Sequence, residues 1–125
     1  MALVLDAGAL IAIDRQDRTV GAVLRVAQKE GIPVRTSATV VAQVWRGGKH
    51  QANLSRVLTG IDINLLDGSS ARKVGEVLAD TKTSDIVDGH LGLIISANDT
   101  VLTSDPDDIR KVLRARSVRA TVRRV

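Results

Sequence analysis

Asp6, Asp85, Asp88 and Asp105 are the residues of this chain whose type and placement suit chemistry. Asp6 closes the apolar segment Ala2-Leu3-Val4-Leu5. Asp85 and Asp88 lie in Thr83-Ser84-Asp85-Ile86-Val87-Asp88, three apart, so on a helix they share one face. Asp105 follows Thr100-Val101-Leu102-Thr103-Ser104, with Asp107 and Asp108 just behind it. In an α/β fold the strand ends along one edge of the sheet open onto a common crevice. Carboxylates gathered there repel one another unless a hard divalent cation neutralises them. The chemistry implied is metal-dependent work on phosphate. Each acid also has a plainer use. Asp6 could bond the loop after its strand, Asp85 and Asp105 could cap helices, and Asp107 and Asp108 could favour a helix dipole. Acids recurring at equivalent places in the fold favour the metal reading over any one of these.

The elements that must position these acids follow from hydrophobic spacing. Residues 3–5 read as a short buried strand and residues 7–13 as the start of a helix. Val20, Val23, Leu24 and Ala27 recur at helical intervals, predicting a helix over 19–30 that Gly31 ends. A second strand is predicted over 32–35. Ser37 is the expected N-cap of a helix reaching Trp45, and Gly47-Gly48 breaks it. A helix over 49–58 precedes an alternating strand over 61–65. Ser69 or Ser70 is expected to open a helix through Leu78, and Ser84 to cap one over 85–97. Residues 101–103 are predicted as strand, 105–113 as helix and 118–122 as the last strand. Strands alternating with helices imply an α/β fold in a single domain. The expected form is a three-layer α/β/α sandwich around a mostly parallel sheet of about four to five strands. No glycine spacing matches a phosphate loop or dinucleotide fingerprint, which disfavours nucleotide cofactors.

Composition narrows the partners. Hydrophobic residues make up 44% of the 125 residues, which excludes a disordered polar chain. Phe and Tyr are absent and there is one Trp, so base-stacking platforms are nearly lacking. Cysteine is absent, removing disulfides, thiolate catalysis and zinc–thiolate sites. No apolar run reaches the roughly 18–20 residues of a membrane span, and Met-Ala-Leu-Val-Leu-Asp lacks a basic leader. The expectation is a cytoplasmic protein without a membrane partner. The net charge of +4 is unevenly placed: Arg110, Lys111, Arg114, Arg116, Arg119, Arg123 and Arg124 follow Asp108 with no further acid. A basic margin beside an acidic crevice suits a polyanion that must approach metal ions.

Four segments resemble a known family. Leu3-Val4-Leu5-Asp6-Ala7-Gly8-Ala9-Leu10-Ile11-Ala12 is similar to the opening strand and loop of PIN domains. Thr36-Ser37-Ala38-Thr39-Val40-Val41-Ala42-Gln43-Val44-Trp45-Arg46 looks like their second motif. Asp85-Ile86-Val87-Asp88-Gly89-His90-Leu91 looks like the third, and Leu102-Thr103-Ser104-Asp105-Pro106-Asp107-Asp108 like the fourth. The resemblance runs nearly end to end, in order, and at this size is strongest to the VapC-type toxins of bacterial toxin–antitoxin pairs. It implies a PIN-like fold and a Mg²⁺- or Mn²⁺-dependent endoribonuclease, restrained by a small cognate antitoxin and commonly a homodimer. Asp6, Asp88 and Asp105 would carry over as metal-binding acids, with Asp85 a further acid near them. Thr103 or Ser104 would hydrogen-bond a metal water or a ligating acid.

Gln43 departs from the pattern, where the family usually has Glu. An amide still offers a neutral oxygen ligand, but it supplies no charge. Asp85 then substitutes, or Gln43 suffices for a slower nuclease. The remaining alternative is a degenerate PIN domain that binds RNA or a partner protein with little or no cleavage. A Mg²⁺ phosphatase or receiver-like domain also gathers acids at strand ends. Against it, Asp6 has no adjacent acid and no Lys follows a late strand in the expected manner. His50 and His90 are weak ligand candidates. Trp45 is expected as a core or interface aromatic, and Arg46 to meet phosphate or pair with Asp85.

Overall fold

Leu3, Val4 and Leu5 are buried on both faces of the sheet, as a continuous apolar triplet must be in a central parallel strand. The computed structural model describes residues 1–83 and 85–125; the expected cap Ser84 lies outside the described residues. The elements run β1 (Leu3–Leu5), α1 (Ala7–Asp14), α2 (Arg18–Lys29), β2 (Val34–Ser37) and α3 (Ala38–Val44). After a 3₁₀ turn at Lys49–Gln51 come α4 (Ala52–Leu58), β3 (Asp62–Asn64), α5 (Gly68–Thr81) and α6 (Ile86–Ile94). β4 (Thr100–Thr103), α7 (Pro106–Ala115) and β5 (Thr121–Arg124) complete the chain. The strand order is β3-β2-β1-β4-β5, and every pairing is parallel rather than mostly so. The chain moves outward from β1 to β3, then returns beside β1 as β4. That reversal is the switch point at which an open α/β sheet forms its crevice, outside the carboxyl ends of β1 and β4. Helices cover the sheet in the expected three-layer α/β/α arrangement. Among the described residues no helix is long and apolar enough to cross a membrane.

Several boundaries differ from expectation for local reasons. α5 opens at Asp67, not at a serine. The Asp67 carboxylate accepts the Ser70 N–H at 2.8 Å, and the Ser70 hydroxyl accepts the Asp67 N–H at 2.8 Å, a reciprocal capping box. α6 ends at Ile94, short of Ala97, where Arg116 donates to the Gly92 and Ile95 carbonyls at 2.5 and 2.9 Å. β5 begins at Thr121 because Val118 is still occupied in closing α7 onto the Leu113 carbonyl.

Two glycines set how α6 is held. A Cβ on Gly92 would fall 2.2 Å from Val112 Cγ1 of α7, and one on Gly89 2.9 Å from Leu78 Cδ2 of α5. Only the missing side chain lets α6 sit this close to both neighbours, and that packing fixes the turn carrying Asp88. At the amino end of the sheet, buried Asp99 accepts the N–H groups of Ala2 at 2.7 Å and Ser96 at 2.8 Å. These bonds tie the start of β1 to the turn before β4.

Candidate active site

β1 ends at Leu5, and Asp6 follows in extended backbone as the N-cap of α1. One of its carboxylate oxygens accepts the Ala7 N–H at 2.7 Å; the other accepts the Thr103 hydroxyl at 2.6 Å. Thr103 Oγ1 in turn accepts the Asp105 N–H at 2.9 Å, so one hydroxyl links two of the acids. Gly8 makes the link geometrically available. A Cβ there would stand 2.7 Å from Ser104 Cβ, so glycine lets the first turn of α1 lie against the β4–α7 loop. Asp6 is only 4% exposed. Burial raises its pKa most, opposed by the bonds from Thr103 and Ala7 and reinforced by the charges of Asp105 and Asp85. Asp105 occupies the cap position of α7, with Pro106 at the first helical position as expected, but its side chain makes no cap bond. Its exposed carboxylate is therefore not committed to the helix.

On the neighbouring helix, Asp85 takes the cap role expected of Ser84: its carboxylate accepts the Asp88 N–H at 3.0 Å. The plainer reading of Asp85 thus holds, and its charge still acts on both Asp6 and Asp88. Half-buried Asp88 has its pKa raised to about 7, first by burial and then by Asp85, Asp6, Asp108 and Asp105. From the sequence Asp108 reads only as a first-turn acid. The signal was in the sequence, since Asp105 and Asp108 are three apart and share a helix face. The structure thus brings Asp6, Asp85, Asp105 and Asp108 within electrostatic reach of Asp88, and Asp85 and Asp105 within reach of Asp6. Among the described residues, no group of three His, Asp or Glu side chains is placed to hold one metal ion as the side chains stand. The donors suit a hard divalent cation in kind and charge, and closing on one requires side-chain rotation.

The second motif braces this edge. Thr36 donates to the Leu5 carbonyl at 2.7 Å, and Ser37 caps α3 by accepting the Val40 N–H at 3.2 Å, as expected. Ser37 and Thr39 share a bond of 3.1 Å, and Thr39 meets His90 Nδ1 at 3.0 Å. His90 is 1% exposed, and burial lowers its pKa against a weaker opposing effect of the Leu65 backbone. It joins α6 to α3 instead of facing the acids, and its Nε2 has no hydrogen-bond partner among the described residues. Gln43 is exposed in the last turn of α3, one turn beyond Thr39, and makes no hydrogen bond to any of the acids. Arg46 folds back to donate to the Ala42 and Trp45 carbonyls at 3.3 and 2.7 Å, so it closes α3 and does not pair with Asp85. Trp45 is 39% exposed and is no core residue. His50 is exposed too. Buried Gln51, which the sequence did not single out, holds this loop by accepting the Arg46 and Gly47 N–H groups at 2.7 and 2.9 Å.

No family model matches the chain, and no curated protein matches it in sequence. Among solved structures, it matches a chain of VapBC2 from Rickettsia felis, whose crystal structure is bound to a DNA fragment from the promoter. The TM-score is 0.70 at 16% identity, over 100% of this chain and 99% of that chain. At that identity the likeness is one of fold, and it bears out the expected PIN-like three-layer α/β/α architecture.

Proposed function

We propose that this chain is a Mg²⁺- or Mn²⁺-dependent endoribonuclease, the toxin of a toxin–antitoxin pair. Asp6, Asp88 and Asp105 would hold the metal, with Asp85 and Asp108 adding to the negative field around it. The observation that carries this reading is the unbalanced acidity of the crevice. Burial first, and then the charges of Asp85, Asp6, Asp108 and Asp105, raise the pKa of half-buried Asp88 to about 7. Burial without compensation is costly, and it is characteristic of sites built for a ligand of opposite charge. A bound cation would supply an activated water and screen the charge of the phosphodiester. The protein's own groups do the positioning. Thr103 fixes the orientation of Asp6 and the backbone of Asp105, while Asp85 fixes the first turn of α6 and so the place of Asp88. Near neutral pH Asp88 both holds and releases its proton, so binding a cation would displace that proton.

A cytoplasmic location, a single domain, a small antitoxin and a homodimer complete the proposal. The antitoxin is supported by the fold of a VapBC2 chain, and RNA as substrate by the basic margin from Arg110 onward. Gln43 favours a second reading, a PIN-like domain that binds RNA or a protein and hardly cuts, because the residue is exposed, neutral and unconnected to the acids. Incubation of the purified protein with RNA and Mn²⁺ separates the two. Cleavage that Asp6→Asn and Asp105→Asn each remove supports the nuclease. RNA binding with no cleavage at any Mn²⁺ concentration supports the second reading.

A further inference from the structure

The basic residues from Arg110 onward do not share one task. Arg110 pairs with Asp107 at 3.6 Å, and Arg116 is occupied in closing α6. Arg123 lines an apolar groove with Val23 and Val26 of α2. Arg124 is placed differently, and strand register explains why. Successive strand residues point to opposite faces, so Arg124 faces away from the α2 groove. Thr103 pairs in register with Arg124, and Leu5 with Leu102. Asp6, one residue past Leu5, therefore stands beside Thr103, and Asp6, Thr103 and Arg124 form one row across β1, β4 and β5. Two strand spacings, about 10 Å, separate the two ends of that row. Thr103 already bonds Asp6 within it.

The Arg124 side chain is anchored over the same loop. Nη1 donates to the Ser104 carbonyl at 3.1 Å, between the Thr103 that holds Asp6 and the carboxylate of Asp105. The Val125 N–H donates to the Thr103 carbonyl at 2.9 Å and pins the end of β5 there. A guanidinium carries five donors in a plane, and this one makes a single bond and no ion pair among the described residues. It is exposed, so its remaining donors face solvent at the rim of the crevice. An RNA strand approaching the gathered carboxylates is repelled by them, and a tethered cation at their edge offsets that repulsion.

We propose that Arg124 grips a backbone phosphate of single-stranded RNA beside the carboxylate crevice, the Ser104 carbonyl holding the guanidinium in place. The inference rests on the nuclease reading above and adds to it a specific substrate contact. Arg124→Gln keeps a donor for Ser104 and removes the charge; Arg124→Lys keeps the charge and loses the planar fork. Binding is measured by fluorescence anisotropy with a short labelled single-stranded RNA in Ca²⁺, and cleavage by steady-state kinetics in Mn²⁺, both across a salt series. The Gln variant should bind about five- to tenfold more weakly. Its log–log salt slope should be shallower by about 0.7, the contribution of one single-strand phosphate contact. KM should rise by a similar factor while kcat changes by less than about twofold, and the melting temperature should hold. Arg124→Lys should restore the slope and only part of the affinity. Equal affinity and slope in the wild type and the Gln variant overturn the contact. A lowered melting temperature with an unchanged slope also overturns it, reducing Arg124 to a brace for β5. Arg124-dependent binding by a wild type that does not cleave sinks the nuclease reading and keeps the contact. Cleavage indifferent to Arg124 does the reverse, and a wild type that binds no RNA removes the contact outright.

Discussion

Two buried aspartates stand at opposite ends of the sheet and are satisfied in opposite ways. At the amino end, Asp99 is 2% exposed and both its oxygens accept fixed backbone N–H groups, from Ala2 and Ser96. At the carboxyl end, Asp6 accepts one backbone N–H and one hydroxyl, and it feels the charges of Asp105 and Asp85. The amino-end acid is closed within the fold. The carboxyl-end acid belongs to a set whose negative charge the protein leaves unbalanced. Burial alone therefore does not tell the two apart; like charge left over after the local hydrogen bonds are counted does.

Exchanging each acid for its amide tests that contrast. Asp6→Asn should reduce RNA cleavage by about 10²–10³-fold, the effect of weakening several kcal/mol of metal-supplied charge stabilisation. The metal-free variant should be as stable as the wild type or more so in urea, because a repelling charge has gone. Asp99→Asn should lose about 1–3 kcal/mol of stability, since one fixed N–H then meets an amide NH₂ in place of an acceptor. Its cleavage per folded molecule should be preserved. An inactive but fully folded Asp99→Asn protein would break the comparison.

The pH dependence of stability sharpens it. The folded pKa of Asp88, about 7, lies above the ordinary value of 3.8. Between those values the unfolded chain has released the proton and the folded chain retains it. Metal-free stability contributed by Asp88 must therefore fall as pH rises from about 4 to 7, then level off. Asp6, also raised, acts in the same direction. Buried His90, its pKa lowered, acts in the opposite direction below about pH 6.5, so the test is a difference: from pH 5 to 8 the metal-free wild type should lose urea midpoint relative to Asp88→Asn, and saturating Mg²⁺ should oppose that loss. A wild type that gains midpoint relative to Asp88→Asn through this window contradicts the account. The smallest effect expected is that of Gln43→Glu. At an exposed position an added charge should raise Mg²⁺ affinity and cleavage by about two- to fivefold. No change in either would place Gln43 outside the metal shell.

The sheet was legible because Leu3–Leu5 and Val101–Thr103 are apolar runs bounded by Asp or Ser, and because helical spacing fills the gaps between strands. Asp6, Asp88 and Asp105 were legible from their places after strands and in a first helical turn. Features decided by neighbours were not. Asp67 displaced Ser69 and Ser70 as a cap because the reciprocal bond needs both partners. Val118 was lost to β5 because the α7 closure claims its N–H. The role of His90 is invisible locally, because its bond to Thr39 joins segments 51 positions apart in the chain. The effect of Asp108 is hidden because a first-turn acid has a sufficient local explanation, and its repulsion of Asp88 exists only once α6 and α7 pack through Gly92.

The central claim is that the carboxyl-edge acids form a crevice for a divalent cation, and calorimetric titration with Mn²⁺ tests it most directly. Run near pH 7 in two buffers of different ionisation enthalpy, the titration reports both binding and proton release. Wild-type protein should bind Mn²⁺ and release protons as it does so, because the raised pKa of Asp88, about 7, leaves it partly protonated near neutral pH. Asp6→Asn should bind markedly more weakly. Mn²⁺ binding that is absent from the wild type, or unchanged by Asp6→Asn, would contradict the claim.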